Sequence, residues 1–162
     1  MKAMKSIIIY YSYSGNTKKV AKILADRLRE KGEVQSMELS CRDELRTFFA
    51  QSRAAFFHKQ PEILPVNLDL SGYDLVCFGT PVWAFAPAPA INTYLEKCFG
   101  LRQKEAILFT TYGSGTGNTR CLNYMQGILS QKGAQSFKRF SIQQFKVGDQ
   151  DFVLLEIQKI KV

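Results

Sequence analysis

Ser12-Tyr13-Ser14-Gly15-Asn16-Thr17 follows directly on the apolar run Ile7-Ile8-Ile9-Tyr10-Tyr11 and leads directly into a helical pattern from Val20 to Leu28. A strand that stops in hydroxyl, glycine and amide residues and restarts as a helix gathers several donors in one small volume. These are the hydroxyls, one flexible glycine and the free N–H groups of a helix N-terminus. The unpaired amides and the helix dipole both favour negative charge there, so the segment reads as a cradle for a phosphate monoester. No Gly-Lys-Ser/Thr follows, and the three spaced glycines of a dinucleotide fold are missing, which excludes both of those phosphate loops. The competing reading is a plain polar turn with Asn16 or Thr17 as N-cap.

Outward from this segment, strands and helices alternate with short loops, the pattern of a parallel sheet covered on both faces. Lys5 to Tyr11 is the expected first strand. Asn16 to Glu30 is the first helix, with Val20, Ile23, Leu24 and Leu28 on one face and Gly32 just past its end. Val34 to Leu39 follows as a short strand. Ser40 with Asp43 is expected to open a second helix carrying Leu45, Phe48, Phe49, Ser52 and Phe56 until the Pro61 to Pro65 loop. Asp74 to Gly79 is a continuous apolar strand of the kind buried on both faces. A proline-rich loop, Thr80 to Pro87, leads to a helix from about Ala88, its prolines confined to the first turn. Glu105 to Thr110 is the fourth strand. A helix through Leu122, Met125 and Leu129 ends at Gly133, Gln135 to Ile142 is an edge strand, and Asp151 to Val162 is read as a helix over a strand. The fold class is therefore α/β, with three α/β/α layers around a doubly wound, five-stranded parallel sheet.

The chain has 162 residues, 46% of them hydrophobic and 22% charged, enough for one well-packed domain spanning 1–162. The long uncharged stretch Leu75 to Leu95 contains Pro81, Pro87 and Pro89 and is not a membrane span. The apolar segment behind Lys2 and Lys5 runs into the polar loop instead of a cleavage site, so a cytoplasmic location is expected. Cys41, Cys77, Cys98 and Cys121 form no C-x-x-C pair and are expected to be reduced and metal-free. The single His58 has no metal constellation to join and no Ser-His-Asp or Cys-His set to complete. The net charge is +8, with the excess at both ends of the chain and in no consecutive run. That distribution gives no support to nucleic-acid binding.

In a doubly wound sheet, ligands sit at the carboxyl ends of the strands where the strand order reverses. Three distinctive loops would meet there: Ser12 to Thr17, Thr80 to Pro87, and Thr111-Tyr112-Gly113-Ser114-Gly115-Thr116-Gly117-Asn118. Trp83, the only tryptophan, and Tyr112 offer aromatic faces, and Gly113, Gly115 and Gly117 let backbone approach a planar ligand. A core role is the competing reading for Trp83.

Ser/Thr-x-Ser/Thr-Gly-Asn-Thr after a first strand, together with Gly79-Thr80-Pro81-Val82-Trp83, resembles the short-chain flavodoxins and flavodoxin-like proteins. The resemblance implies strand order 2-1-3-4-5 and an FMN cofactor. It also implies that Ser12, Tyr13, Ser14, Gly15, Asn16 and Thr17 surround the phosphate, with Thr80, Pro81, Val82, Trp83, Thr111, Tyr112, Gly113 and Gly117 around the ring. The short spacing after Ile142 leaves no room for the segment that long-chain members insert into the fifth strand.

One departure is electrostatic. Flavodoxins are typically acidic, yet no Asp or Glu occurs from Leu75 to Leu95 or from Ala106 to Arg120. A positive field stabilises a reduced, anionic flavin, so a final potential less negative than in typical members is expected. Lys18, Lys19 and Lys22 could assist the phosphate, although a solvated helix face is the commoner use of such lysines. Three functions remain open. The first is an electron carrier docking acidic redox partner proteins. The second is a small NAD(P)H-dependent FMN oxidoreductase acting on a quinone or flavin, as a monomer or homodimer. The third is a flavin-free interaction domain.

Overall fold

The structure is a computed structural model and describes residues 3–42, 48–58, 60–113 and 115–162. Five parallel strands form the main sheet: β1 (Met4–Tyr10), β2 (Gly32–Glu38), β3 (Leu75–Trp83), β5 (Glu105–Tyr112) and β6 (Ser136–Gln143). A two-residue strand, β4 (Ala86–Pro87), pairs antiparallel with the end of β3. The order β2-β1-β3-β5-β6 is the expected 2-1-3-4-5 once β4 is set aside. Strand β6 runs unbroken, as the short spacing after Ile142 implied.

Alternation along the strands sets the layers. Ile7 and Ile9 of β1, Val76 and Phe78 of β3 and Leu108 of β5 face one core. It is closed by α3 (Pro89–Lys97) through Ile91 and Leu95, and by α4 (Asn118–Gln131) through Cys121, Met125 and Leu129. Ile8, Tyr10, Cys77 and Phe109 face the other core. There α1 (Asn16–Arg29) supplies Val20, Leu24 and Leu28, and α5 (Gln150–Lys159) supplies Val153 and Ile157. The C-terminal segment is thus the expected helix, capped by the Asp149 carboxylate, which accepts the Phe152 N–H at 3.0 Å. Leu24 is wholly buried, and truncating a leucine in such a site to alanine costs about 2–5 kcal/mol.

Gly32 lies just past the end of α1, as expected, and opens β2, where a Cβ would stand 2.0 Å from the Met4 carbonyl oxygen. Two expectations are corrected. Ser40 does not start a helix, because Ser40 to Arg42 pairs with a neighbouring segment. The Leu64 N–H donates to the Ser40 carbonyl at 2.8 Å and the Arg42 N–H to the Glu62 carbonyl at 2.9 Å. The second helix is α2 (Phe48–Phe56); Asp43 and Leu45 lie outside the described residues, as does Ser114. Finally, Thr80 to Trp83 is the end of β3 and not a loop. The cysteines are all free thiols, and burial pushes the Cys98 thiol up to about 11.

Candidate functional site

The turn between β1 and α1 is built to leave donors unused. Strand β1 is held to β3 one residue past its end by the Tyr11 N–H donating to the Gly79 carbonyl at 3.1 Å. The chain then reverses through Gly15, whose φ of 88° makes it the N-cap of α1. An L-residue adopting that conformation costs roughly 1–2 kcal/mol. The N-cap offers no side-chain hydrogen bond, and neither Asn16 nor Thr17 plays that part. The Ser12 hydroxyl accepts the Lys18 N–H at 3.2 Å, while the amides of Asn16 and Thr17 find no acceptor among the described residues. With no acidic residue in the first turn, the positive end of the helix is uncompensated.

Two contacts fix this turn in place. The buried Thr17 hydroxyl shares a 2.8 Å hydrogen bond with the Thr111 hydroxyl, tying the first loop to the end of β5. The Lys18 ammonium lies 2.8 Å from the Glu38 carboxylate, which also accepts from the Tyr10 hydroxyl at 3.4 Å. Hydrogen bonding to Glu38 raises the Lys18 pKa, and burial raises that of Tyr10.

Beside the turn, at the carboxyl ends of β1, β3 and β5, lies a cleft of about 460 Å³. Tyr13, Ser14 and Asn16 line it from the first loop, Pro81, Val82 and Trp83 from β3, and Thr111, Tyr112 and Gly113 from β5. Ala84, within the Thr80 to Pro87 segment expected there, and Gln144, which sequence reasoning missed, complete the wall. No Asp, Glu, Lys or Arg is among these lining residues. Trp83 is only 5% exposed, with Tyr11 and Tyr13 edge-on to its ring at 5.9 and 5.5 Å. It therefore serves both readings, packed in the core and presenting its remaining surface to the cleft. Tyr13, expected at the phosphate, is an aromatic wall as well.

Thr80 and Gly117 are near the site but off the cleft surface. Strands β3 and β4 form a hairpin in which Trp83 pairs with Ala86. The two residues at its tip, Ala84 and Phe85, have φ of 46° and 65°, the left-handed pair that two-residue hairpins normally give to Asn and Gly. The buried Thr80 hydroxyl braces this hairpin, accepting the Ala88 N–H and donating to the Pro81 carbonyl, both at 2.9 Å. Gly117, the N-cap of α4 with φ of 91°, leaves room for the Phe85 ring; a Cβ there would lie 2.3 Å from Phe85 Cδ1. The Arg120 guanidinium stands 5.9 Å from the same ring.

A larger groove of about 770 Å³ between α1 and α5 mixes Lys19, Lys22 and Arg27 with Asp26, Glu30 and Asp151, so it selects neither anion nor cation. No cluster of metal-ligating side chains occurs among the described residues, and none of their helices is long and apolar enough to cross a membrane.

The fold has counterparts. A flavoprotein solved in complex with FMN from Lactobacillus acidophilus NCFM is 25% identical, with 92% of this chain and 99% of that one covered at a TM-score of 0.68. Oxidised flavodoxin 1 from Bacillus cereus is 17% identical, covering 95% and 97% at a TM-score of 0.60. An NADH:FMN oxidoreductase in its apo form is 16% identical, covering 96% and 87% at 0.62. The family model for flavodoxin matches residues 5–132, most of the chain. With the β2-β1-β3-β5-β6 order and the intact Ser12 to Thr17 loop, this match assigns the chain to the flavodoxin family.

Proposed function

We propose that the chain, as one flavodoxin-like domain, binds FMN in this cleft and carries electrons between redox partner proteins, acidic ones in particular. The observation that carries the reading is an adjacency: a helix N-terminus with the Asn16 and Thr17 amides open beside an uncharged cleft walled by Tyr13, Trp83 and Tyr112. The donor set suits a dianionic phosphate, and the apolar, aromatic wall suits a planar heterocycle. Ser12, Ser14 and Asn16, with the amides of Gly15, Asn16 and Thr17, would hold the phosphate. Pro81, Val82, Trp83, Thr111, Tyr112 and Gly113 would enclose the ring. Thr80 and Gly117 act one step back, by shaping the hairpin.

FMN, when bound, supplies one- and two-electron redox chemistry. The protein's part is position and field. The lining residues include no carboxylate to oppose added negative charge, which supports a final reduction potential less negative than that of flavodoxins with acidic surroundings.

The test is an absorbance spectrum of the protein with FMN, followed by titration with dithionite and separately with NADPH under argon. A carrier is reduced by dithionite in two resolved one-electron steps and is unaffected by NADPH. Rapid bleaching by NADPH would make it an NAD(P)H-dependent oxidoreductase instead, and no bound flavin would overturn both readings.

A further inference from the structure

The rim of the cleft carries two exposed aromatic tips, each beside a cation. Phe85, at the β3–β4 hairpin tip, is 45% exposed and next in sequence to the lining residue Ala84. Arg120 stands 5.9 Å from its ring. Phe145 is 68% exposed and follows the lining residue Gln144 in a short 3-10 turn, Gln144–Lys146. Its neighbour Lys146 lies 6.0 Å from that ring and 5.5 Å from the ring of Phe152. Neither Arg120 nor Lys146 meets a carboxylate among the described residues. Most of the ion pairs of the described residues lie on other elements, such as Lys18 with Glu38 and Lys138 with Glu105.

Phe85 holds its exposed position in a left-handed backbone conformation. A bulky residue there is strained, and such strain marks places where the surroundings hold a side chain in a required position. Exposed aromatics grouped around a concave site mark an interaction surface.

We infer that the Phe85–Arg120 and Phe145–Lys146 tips form a docking surface for an acidic protein, whose carboxylates meet the two cations while its apolar surface meets the two rings. This deepens the carrier reading and rests on it, since the two tips flank the cleft where electrons would pass. A second copy of this chain is disfavoured as occupant. A symmetric contact through this face would set Arg120 and Lys146 of each copy against the same cations, in a chain of net charge +8. Nucleic acid calls for a continuous basic track with stacking residues along it, whereas here two separate tips bracket a cleft.

The test measures binding by calorimetry and by backbone chemical shifts at low ionic strength, with a two-iron acidic ferredoxin and a basic c-type cytochrome as probes. The ferredoxin is expected to bind and to shift residues 84–86, 118–121 and 144–147. R120Q/K146Q should weaken it about tenfold, and raising the salt should erase most of that difference. F145S should weaken it about fivefold, because a rim aromatic loses its packed partner area. FMN affinity should be unchanged in all variants. The inference is overturned if the cytochrome binds as tightly or if the variants bind ferredoxin like the parent protein. It is also overturned if oligothymidylate or phosphatidylserine vesicles bind the same residues more tightly than ferredoxin. Both probes are tested with and without FMN, so a failure to bind flavin would sink the carrier reading while the docking result is read independently.

Discussion

Two turns at the carboxyl end of the sheet reach left-handed backbone by opposite routes. The β1–α1 turn places Gly15 at φ 88°, where glycine goes without steric cost and a Cβ would meet nothing within 4 Å. The β3–β4 hairpin instead drives Ala84 and Phe85 to φ of 46° and 65°, against the preference of both residues. In the first, local sequence dictates conformation. In the second, tertiary contacts impose it: Phe85 over Gly117, Arg120 beside the ring, and the Thr80 hydroxyl bracing Ala88. A turn encoded locally withstands changes around it, while a turn imposed from outside fails when its supports are removed.

The largest effect that could break this contrast is at Gly117. Gly117→Ala adds left-handed strain and drives a methyl into Phe85 Cδ1, so a loss of about 2–4 kcal/mol is expected. Gly15→Ala, with open space around it, should cost only the strain, about 1–2 kcal/mol. Urea denaturation of the two variants measures the difference. Repeating Gly117→Ala in a Phe85→Gly background should recover more than 1 kcal/mol of the loss, roughly the coupling expected of residues in contact. Additive effects would mean that Phe85 does not rest on Gly117.

Thr80→Val comes next. It keeps the shape of a buried side chain but leaves the Ala88 N–H without its acceptor, at a cost of about 1–3 kcal/mol. Amide exchange at residues 84–88 should accelerate more than exchange in the centre of β3, since the hairpin loses its brace before the sheet does. Uniform acceleration would show that Thr80 supports the whole strand.

The smallest effect is at Ala84. Ala84→Gly relieves φ strain but adds freedom to the unfolded chain, so the expected gain is about 0.5 kcal/mol, read as a small rise in Tm. A loss as large as the roughly 0.5–1 kcal/mol of an ordinary mid-strand glycine would mean that the turn is not strained.

The same contrast explains what the sequence could and could not show. The five main strands and the turn after the first of them were legible because apolar runs and turn residues are local signals, while their order came with the family resemblance. The helix expected at Ser40 failed because pairing with residues 62–64, set by tertiary packing, won over a capping pattern. The loop expected at Thr80 to Trp83 failed for a related reason. Pro81, with no N–H to give, sits beside Thr111 of β5 near the end of the strand, where the prolines and small residues read as irregular backbone. At the site, residue types pointed to Trp83 and Tyr112, but nothing local marks Gln144, which reaches the cleft only because β6 ends next to Tyr112. Thr80 and Gly117, expected around the ring, also brace and shape the β3–β4 hairpin, a role that only its packing makes visible.

The central claim is that the β1–α1 turn holds a phosphate beside the aromatic cleft. It is tested most directly by titrating the protein with FMN and with riboflavin, which shares the ring and lacks the phosphate, following flavin fluorescence. FMN should bind at least about a hundredfold more tightly, near 2.7 kcal/mol by the arithmetic of affinity, and Gly15→Ala should shrink that gap while leaving riboflavin almost unaffected. Equal affinities for the two flavins would contradict the account.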